Sequence, residues 1–139
     1  MPGSTVSAYT GRYETVPGLY ATTDLSAAQF KAVTLMSTGG QIKLTGTSIV
    51  TALMVGILQN DPKGTLANPV AAEVAVQGIV KAIVGTSIVK KGDNLGVNTT
   101  SYLVPTTTDN RWVVAKALSN SAAIGDIIPV LMLEGGKRY

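Results

Sequence analysis

The chain has 139 residues, of which 45% are hydrophobic, 5% aromatic and 14% charged, with a formal net charge of +3. It contains neither Cys nor His, which excludes disulfides, thiolate nucleophiles, imidazole bases and the usual zinc, copper and haem ligands together. The length predicts one domain with a real core, and the scarcity of aromatics requires that core to be built from Val, Ile, Leu and Ala.

The charged share falls well below the usual quarter of a soluble domain. A surface so poor in charge is expected to be covered in part by something else, most simply by other subunits; a monomer rich in small residues is the alternative. Basic residues stand singly except at Lys90-Lys91 and Lys137-Arg138. No stripe follows from them that could track a phosphate backbone, so nucleic acid is not an expected partner. The opening stretch MPGSTVSAYTGRYETVPG lacks the apolar segment of a signal peptide, and no run approaches eighteen apolar residues. Neither secretion nor a membrane span is expected. Asn98-Thr99-Thr100 fits a glycosylation acceptor, which without a secretion signal is a chance match.

In chain order, residues 1–18 read as an extended N-terminal arm. They are mostly Ser, Thr, Gly, Pro and Tyr with no period of 2 or 3.6. Tyr9, Tyr13 and Tyr20 lie in or beside it, either as anchors awaiting a surface or in a tail that folds back on its own domain. The domain proper is expected over 19–139. Phe30 to Met36 reads as a strand, Gly39 and Gly40 as a hairpin turn, and Gln41 to Leu44 as the returning strand. Thr51 to Gln59 is a continuous apolar run, as expected of a strand buried on both faces. Asn60-Asp61-Pro62-Lys63-Gly64 ends it, with Asn60 and Pro62 in turn positions.

From Glu73 to Val84 the even positions are Val74, Val76, Gly78, Val80, Ala82 and Val84, and the odd positions are half polar. A period of 2 over this length predicts a strand with one wholly apolar face, with Gly78 as its bend or bulge. Arg111 to Leu118 and Ile127 to Leu133 read as further strands. Pro129 cannot donate to a ladder, which predicts an edge strand or a bulge. A local pattern repeats: Gly92-Asp93-Asn94-Leu95-Gly96-Val97 returns as Gly125-Asp126-Ile127-Ile128-Pro129-Val130. In each, Gly and Asp form a tight turn, and the second and fourth residues of the following strand face inward. Asp93 and Asp126 are thereby explained as turn residues rather than as a catalytic pair, since no proton acceptor or metal partner accompanies them.

The chemistry that could act on a substrate is missing from the pattern. A nucleophile triad lacks its base, no Ser-Lys motif is present, and neither GxGxxG nor GxxxxGK[ST] occurs. The eight carboxylates are too dispersed for a calcium loop. Trp112, the only Trp, sits beside a Val-Val run and reads as a core or interface residue. No catalytic residue, metal ligand or cofactor is expected.

Gly56-Ile57-Leu58-Gln59-Asn60-Asp61-Pro62, then Gly64, Ala72, Val74, Val76, Gly78 and Ile79-Val80-Lys81 resemble the tailed-phage capsid decoration (cement) family. Its members carry a G-[IV]-L-Q-N-x-P segment, a V-x-V-x-G-x-x-K strand, an A-G-x-x-[IV]-x-x-G-D turn and a closing G-D-x-[IV]-x-V strand. The third of these reads here Val84-Gly85-Thr86-Ser87-Ile88-Val89-Lys90-Lys91-Gly92-Asp93, with Val for Ala and one residue more before Gly92. The resemblance runs in the same order from about Thr23 to Leu133; the arm lies outside it, and the segment from Thr99 to Arg111 is richer in Thr than the pattern.

The resemblance implies an all-β domain, a small β-barrel or β-tulip, on the outer surface of the phage head. It implies a homotrimer that clamps neighbouring major capsid protein subunits after expansion, without catalysis or cofactor. Related decoration proteins use an N-terminal arm to add backbone pairing to a capsid strand. Ordering fifteen backbone residues costs on the order of 15–30 kcal/mol at about 1–2 each, which favours strand addition over side-chain anchors alone. Tyr9, Arg12, Tyr13 and Tyr20 are the expected capsid contacts. The alternative is a head-fibre or receptor-binding β-domain that recognises host glycans through the Thr-rich loop from Asn98 to Asn110. A cellular barrel with a small ligand is a third reading, open if the resemblance is accidental.

Overall fold

The computed structural model describes residues 13–37, 39–45, 54–106 and 112–138. In chain order its strands are β1 (Tyr13–Thr15), β2 (Tyr20–Ala21), β3 (Ala32–Leu35), β4 (Ile42–Leu44), β5 (Met54–Leu58) and β6 (Val70–Ala71). They continue with β7 (Val74–Ile83), β8 (Asn94–Val97), β9 (Leu103–Pro105), β10 (Trp112–Ala117) and β11 (Ile127–Arg138). The main sheet runs β4-β3-β5-β7-β11-β10-β8-β9, β1 also pairs with β7, and β2 pairs with β6 separately. The fold is all-β, a curled half-barrel in one domain. Its curl brings the end of β7 back to β9, where Val84 bridges Leu103 and the Gly85 N–H donates to the Leu103 carbonyl at 2.9 Å.

β7 organises the rest, and it is bent. Val74 lies opposite Leu58; the Phe30 N–H donates to the Leu58 carbonyl at 2.6 Å, and the Ile83 N–H donates to the Phe30 carbonyl at 2.9 Å. Both ends of β7 therefore lie within two hydrogen-bonded steps of Leu58, whereas a straight strand of this length would hold them about 30 Å apart. The bend is a β-bulge. Glu14 pairs with Gln77 and Thr15 with Ala75, so the register skips Val76, and Gly78 follows at a φ of +97°. Glycine takes that left-handed conformation without the Cβ clash that opposes it in other residues.

The bulge corrects one expectation. The even positions of this run do not line one continuous face. Val74 and Val76 pack into one core with Leu19, Leu25, Ile42 and Leu58. Val80, Ala82 and Val84 pack into another with Leu95, Leu103, Val114 and Val130, where the odd-numbered Ala75 joins them. One inserted residue reverses which parity faces which core.

The sheet formed by β3, β5 and the first part of β7 separates the two cores. Ala32 and Ile57 face the first, and their neighbours Val33 and Leu58 face the second. This burial on both faces is what the unbroken apolar run predicted; residues 51–53 of that run lie outside the described residues. The second core is closed by the segment after β1, held by Tyr20 N–H to Gly40 O at 3.0 Å, Leu25 N–H to Pro62 O at 2.9 Å and Ala72 N–H to Leu19 O at 3.0 Å.

Pro129 requires a second correction. β11 is no edge strand, since it lies between β7 and β10, and its register slip falls opposite Val113 and Ala115 rather than at Pro129. The Pro129 carbonyl accepts from the Leu118 N–H at 3.0 Å, so the position without an N–H faces the β10 side. β10 ends at Ala117, one residue before Leu118, and the missing donor costs the ladder nothing. β11 itself extends past the expected Leu133, pairing Lys137 with Val113 and Arg138 with Trp112.

Candidate contact surface

The structure draws the last part of the expected arm into the sheet. Tyr13, Glu14 and Thr15 form β1 on β7, so the domain begins before residue 19; Tyr9 and Arg12 lie outside the described residues. Tyr13 is half-buried against the first core. Its hydroxyl donates to Oε1 of Glu73 at 2.5 Å, and that bond pushes the phenol up to about 12, with burial and the Glu73 charge adding to it. Glu73 is placed by Asn60, whose Oδ1 accepts from the Glu73 N–H at 2.9 Å while its Nδ2 donates to the Ala71 carbonyl at 3.1 Å. The expected turn residue Asn60 thus also fixes the partner of Tyr13. Nothing in the sequence signalled the pairing of Tyr13 with Glu73, because it joins positions sixty apart.

Tyr20 is not beside Tyr13. It sits on β2 opposite Ala71 and bridges Gln41, against the hairpin turn of Gly39 and Gly40. A Cβ on Gly40 would collide with the Gly18 carbonyl, so this turn, β2 and the chain before it are packed backbone to backbone. The other turn residues also hold backbone. Gly92 and Gly125 have φ of +93° and +90°. Asp93 Oδ2 accepts from the Lys90 N–H at 2.9 Å, and Asp126 Oδ2 accepts from the N–H groups of Ala122 and Ala123 at 2.7 and 2.9 Å. Those two donors hold the Asp126 carboxyl below its ordinary range. In the strands that follow, Leu95 and Val97, then Ile128 and Val130, are buried, in the inward positions expected of the repeat. Pro62 is buried in the connection between β5 and β6.

In the Thr-rich loop, Asn98 Oδ1 accepts from the Thr100 N–H and hydroxyl and from the Tyr102 N–H, at 2.9 to 3.0 Å. That side chain holds the β8–β9 turn. Residues 107–111 lie outside the described residues.

Two surface clefts flank β1. One, of about 260 Å³, is lined by Tyr13, Gln29, Gln59 and Lys81. Its amides are directed to backbone: Gln29 Nε2 donates to the Gln59 carbonyl at 2.9 Å, and Gln59 Nε2 to the Lys81 carbonyl at 3.1 Å. The other, of about 560 Å³ and open, is bordered by Pro17, Tyr20, Asn60 and Glu73. Among the described residues no group of three His, Cys, Asp or Glu is placed to hold a metal ion, and no helix is long and apolar enough to cross a membrane. Between the clefts runs β1, which pairs with β7 on one side; among the described residues no strand pairs with its other edge. Such an edge presents backbone donors and acceptors in register for a further strand.

These features define a class of molecule, a small all-β half-barrel whose exposed groups are a strand edge, aromatic rims and turns. A solved structure shares the fold: the N base of the head fiber gp8.5 of bacteriophage phi29, at a TM-score of 0.63 and 14% identity, over 87% of this chain and 95% of that chain. The sequence matches no protein-family model and no curated protein.

Proposed function

We propose that the protein is a structural component of a phage virion that binds the outside of the expanded head and bridges major capsid protein subunits, acting as a homotrimer. The observation that carries this reading is the shared fold with a phage head-fiber base over nearly all of that chain. The ordered motifs from Gly56 to Val130 support it from the sequence. So does the edge of β1, which lies where residues 1–12 join the domain. A chain continuing from Tyr13 alongside a capsid strand gains backbone hydrogen bonds at each residue, with Tyr9 and Arg12 supplying side-chain contacts. Three linked copies raise the effective concentration of each contact, so a weak single site suffices.

The test is co-sedimentation of the purified protein with expanded capsids stripped of decoration, with unexpanded procapsids alongside. Saturable binding to expanded particles alone is expected, and removal of residues 1–12 is expected to weaken it. Binding to neither particle overturns the reading.

A second reading is favoured by what the solved neighbour is, the base of a head fiber. Here the half-barrel is the base of a longer appendage or a receptor-binding domain. A glycan array with reproducible hits, together with absent capsid bridging, would select it.

A further inference from the structure

The outward face of the second half of β7 and its neighbours is apolar where an antiparallel sheet open to water is ordinarily polar. Residues directly opposite in a ladder point to the same face. Ile83 lies opposite Ile127, Lys81 opposite Pro129, Ile79 opposite Leu131, and Leu131 opposite Lys116. The inward residues between them, Val80, Ala82, Ile128 and Val130, are all buried in the first core. The outward set places Ile79, Ile83, Ile127 and Leu131 at the corners of a quadrilateral, with Lys81 and the fully buried Pro129 between them and Lys116 beside Leu131. Ile127 and Leu131 are each 38% exposed.

The layer that closes the second core has the opposite character. Residues 13–28 and 60–73 carry Glu14, Asp24, Asp61 and Glu73, all exposed, against a single lysine, Lys63. They also expose Leu66 and Val70. The remaining residues with described side chains carry Lys31, Lys43, Lys81, Lys90, Lys91 and Lys116, and their carboxylates, Asp93 and Asp126, cap turns. The basic-apolar face lies over the first core and most of the acidic-apolar layer over the second, and the two adjoin at β1, where Tyr13 shares a cleft with Ile79 and Lys81.

We propose that the outward face of β7, β11 and β10 docks the acidic layer of a second copy of this chain, head to tail. Opposite charges set the orientation, and the exposed aliphatic residues on both sides supply the apolar area. Because the contact joins two different surfaces, each added copy presents a fresh acceptor, and the assembly closes when the rotation per step closes a ring. The contact is independent of what the assembly binds, so self-association and capsid binding are read separately.

The experiment is sedimentation velocity of the full chain over a series of protein and salt concentrations. Self-association that weakens with added salt is expected. Lys81→Glu/Lys116→Glu reverses the basic face and Glu14→Lys/Asp61→Lys the acidic layer. Each double variant is expected to be monomeric alone, and an equimolar mixture is expected to associate again with the two variants alternating, since every joint then pairs opposite charges. Leu131→Asp is expected to abolish association, with thermal melts by circular dichroism establishing that each variant folds. Wild-type protein monomeric at every concentration overturns the proposal, as does unchanged association in Leu131→Asp and in Lys116→Glu, an exposed position chosen to spare folding. Two monomeric double variants that fail to pair overturn the head-to-tail geometry. Capsid binding lost in Leu131→Asp with self-association intact would assign the face to the capsid instead.

Discussion

The hydroxyl of Tyr13 donates to the carboxylate of Glu73 across sixty residues of sequence, fastening the first described strand to the start of the bent β7. Removing that donor with Tyr13→Phe leaves the ring against the first core and is expected to cost about 0.5–1.5 kcal/mol, read from urea unfolding. The phenol is raised from 10.0 to about 12 in the folded chain. A group whose folded value lies above its unfolded value contributes stability that is whole below pH 10 and is lost as pH rises towards 12. Absorbance titration near 295 nm is expected to show one tyrosine ionising about two pH units late, and Tyr13→Phe to remove that step. Ionisation of Tyr13 at the ordinary phenol value of 10.0 would contradict the contact.

Asp126 gives the opposite pH dependence. The Ala122 and Ala123 N–H groups hold its carboxyl below 3.8, so its contribution is present above that value and fades as pH falls through the depressed one. Asp126→Ala is expected to lower the urea midpoint at neutral pH and to flatten the acid limb of stability. An acid limb unchanged in the variant would show that the turn is held by Gly125 alone.

Gly78 carries the bend of β7 at a φ of +97°. Gly78→Val places a β-branched residue in a conformation that costs on the order of 1–3 kcal/mol and resists the reversal of parity between the two cores. The urea midpoint is expected to fall accordingly. Retained wild-type stability would mean that the bend is made elsewhere.

Ile57 and Leu58 are adjacent and fully buried in different cores. Ile57→Ala and Leu58→Ala are each expected to cost about 2–5 kcal/mol. A strand with one wet face would tolerate one of the two changes, and equilibrium unfolding of both variants distinguishes the cases.

The sequence by itself determined the β character. Gly39, Gly92 and Gly125 take a positive φ, and Asp93 and Asp126 accept from backbone N–H groups three or four residues before them, because turn chemistry is local. The buried pairs after each Gly-Asp turn, and the double burial of the run ending at Leu58, are equally local consequences of alternation. The lack of His and Cys removes chemistries irrespective of fold. Only the tertiary structure decided how these pieces meet. Alternation records which side chains share a face, but not which strands lie side by side, and one bulged residue at Val76 reverses the record halfway along β7. Pro129 is tolerated inside the sheet because its neighbour strand has already ended, a fact about β10 that the proline's own surroundings in the chain cannot hold. The bond between Tyr13 and Glu73 and the apolar quadrilateral facing outward arise likewise from pairings distant in sequence. Their partners are chosen by the closure of two cores rather than by any local preference.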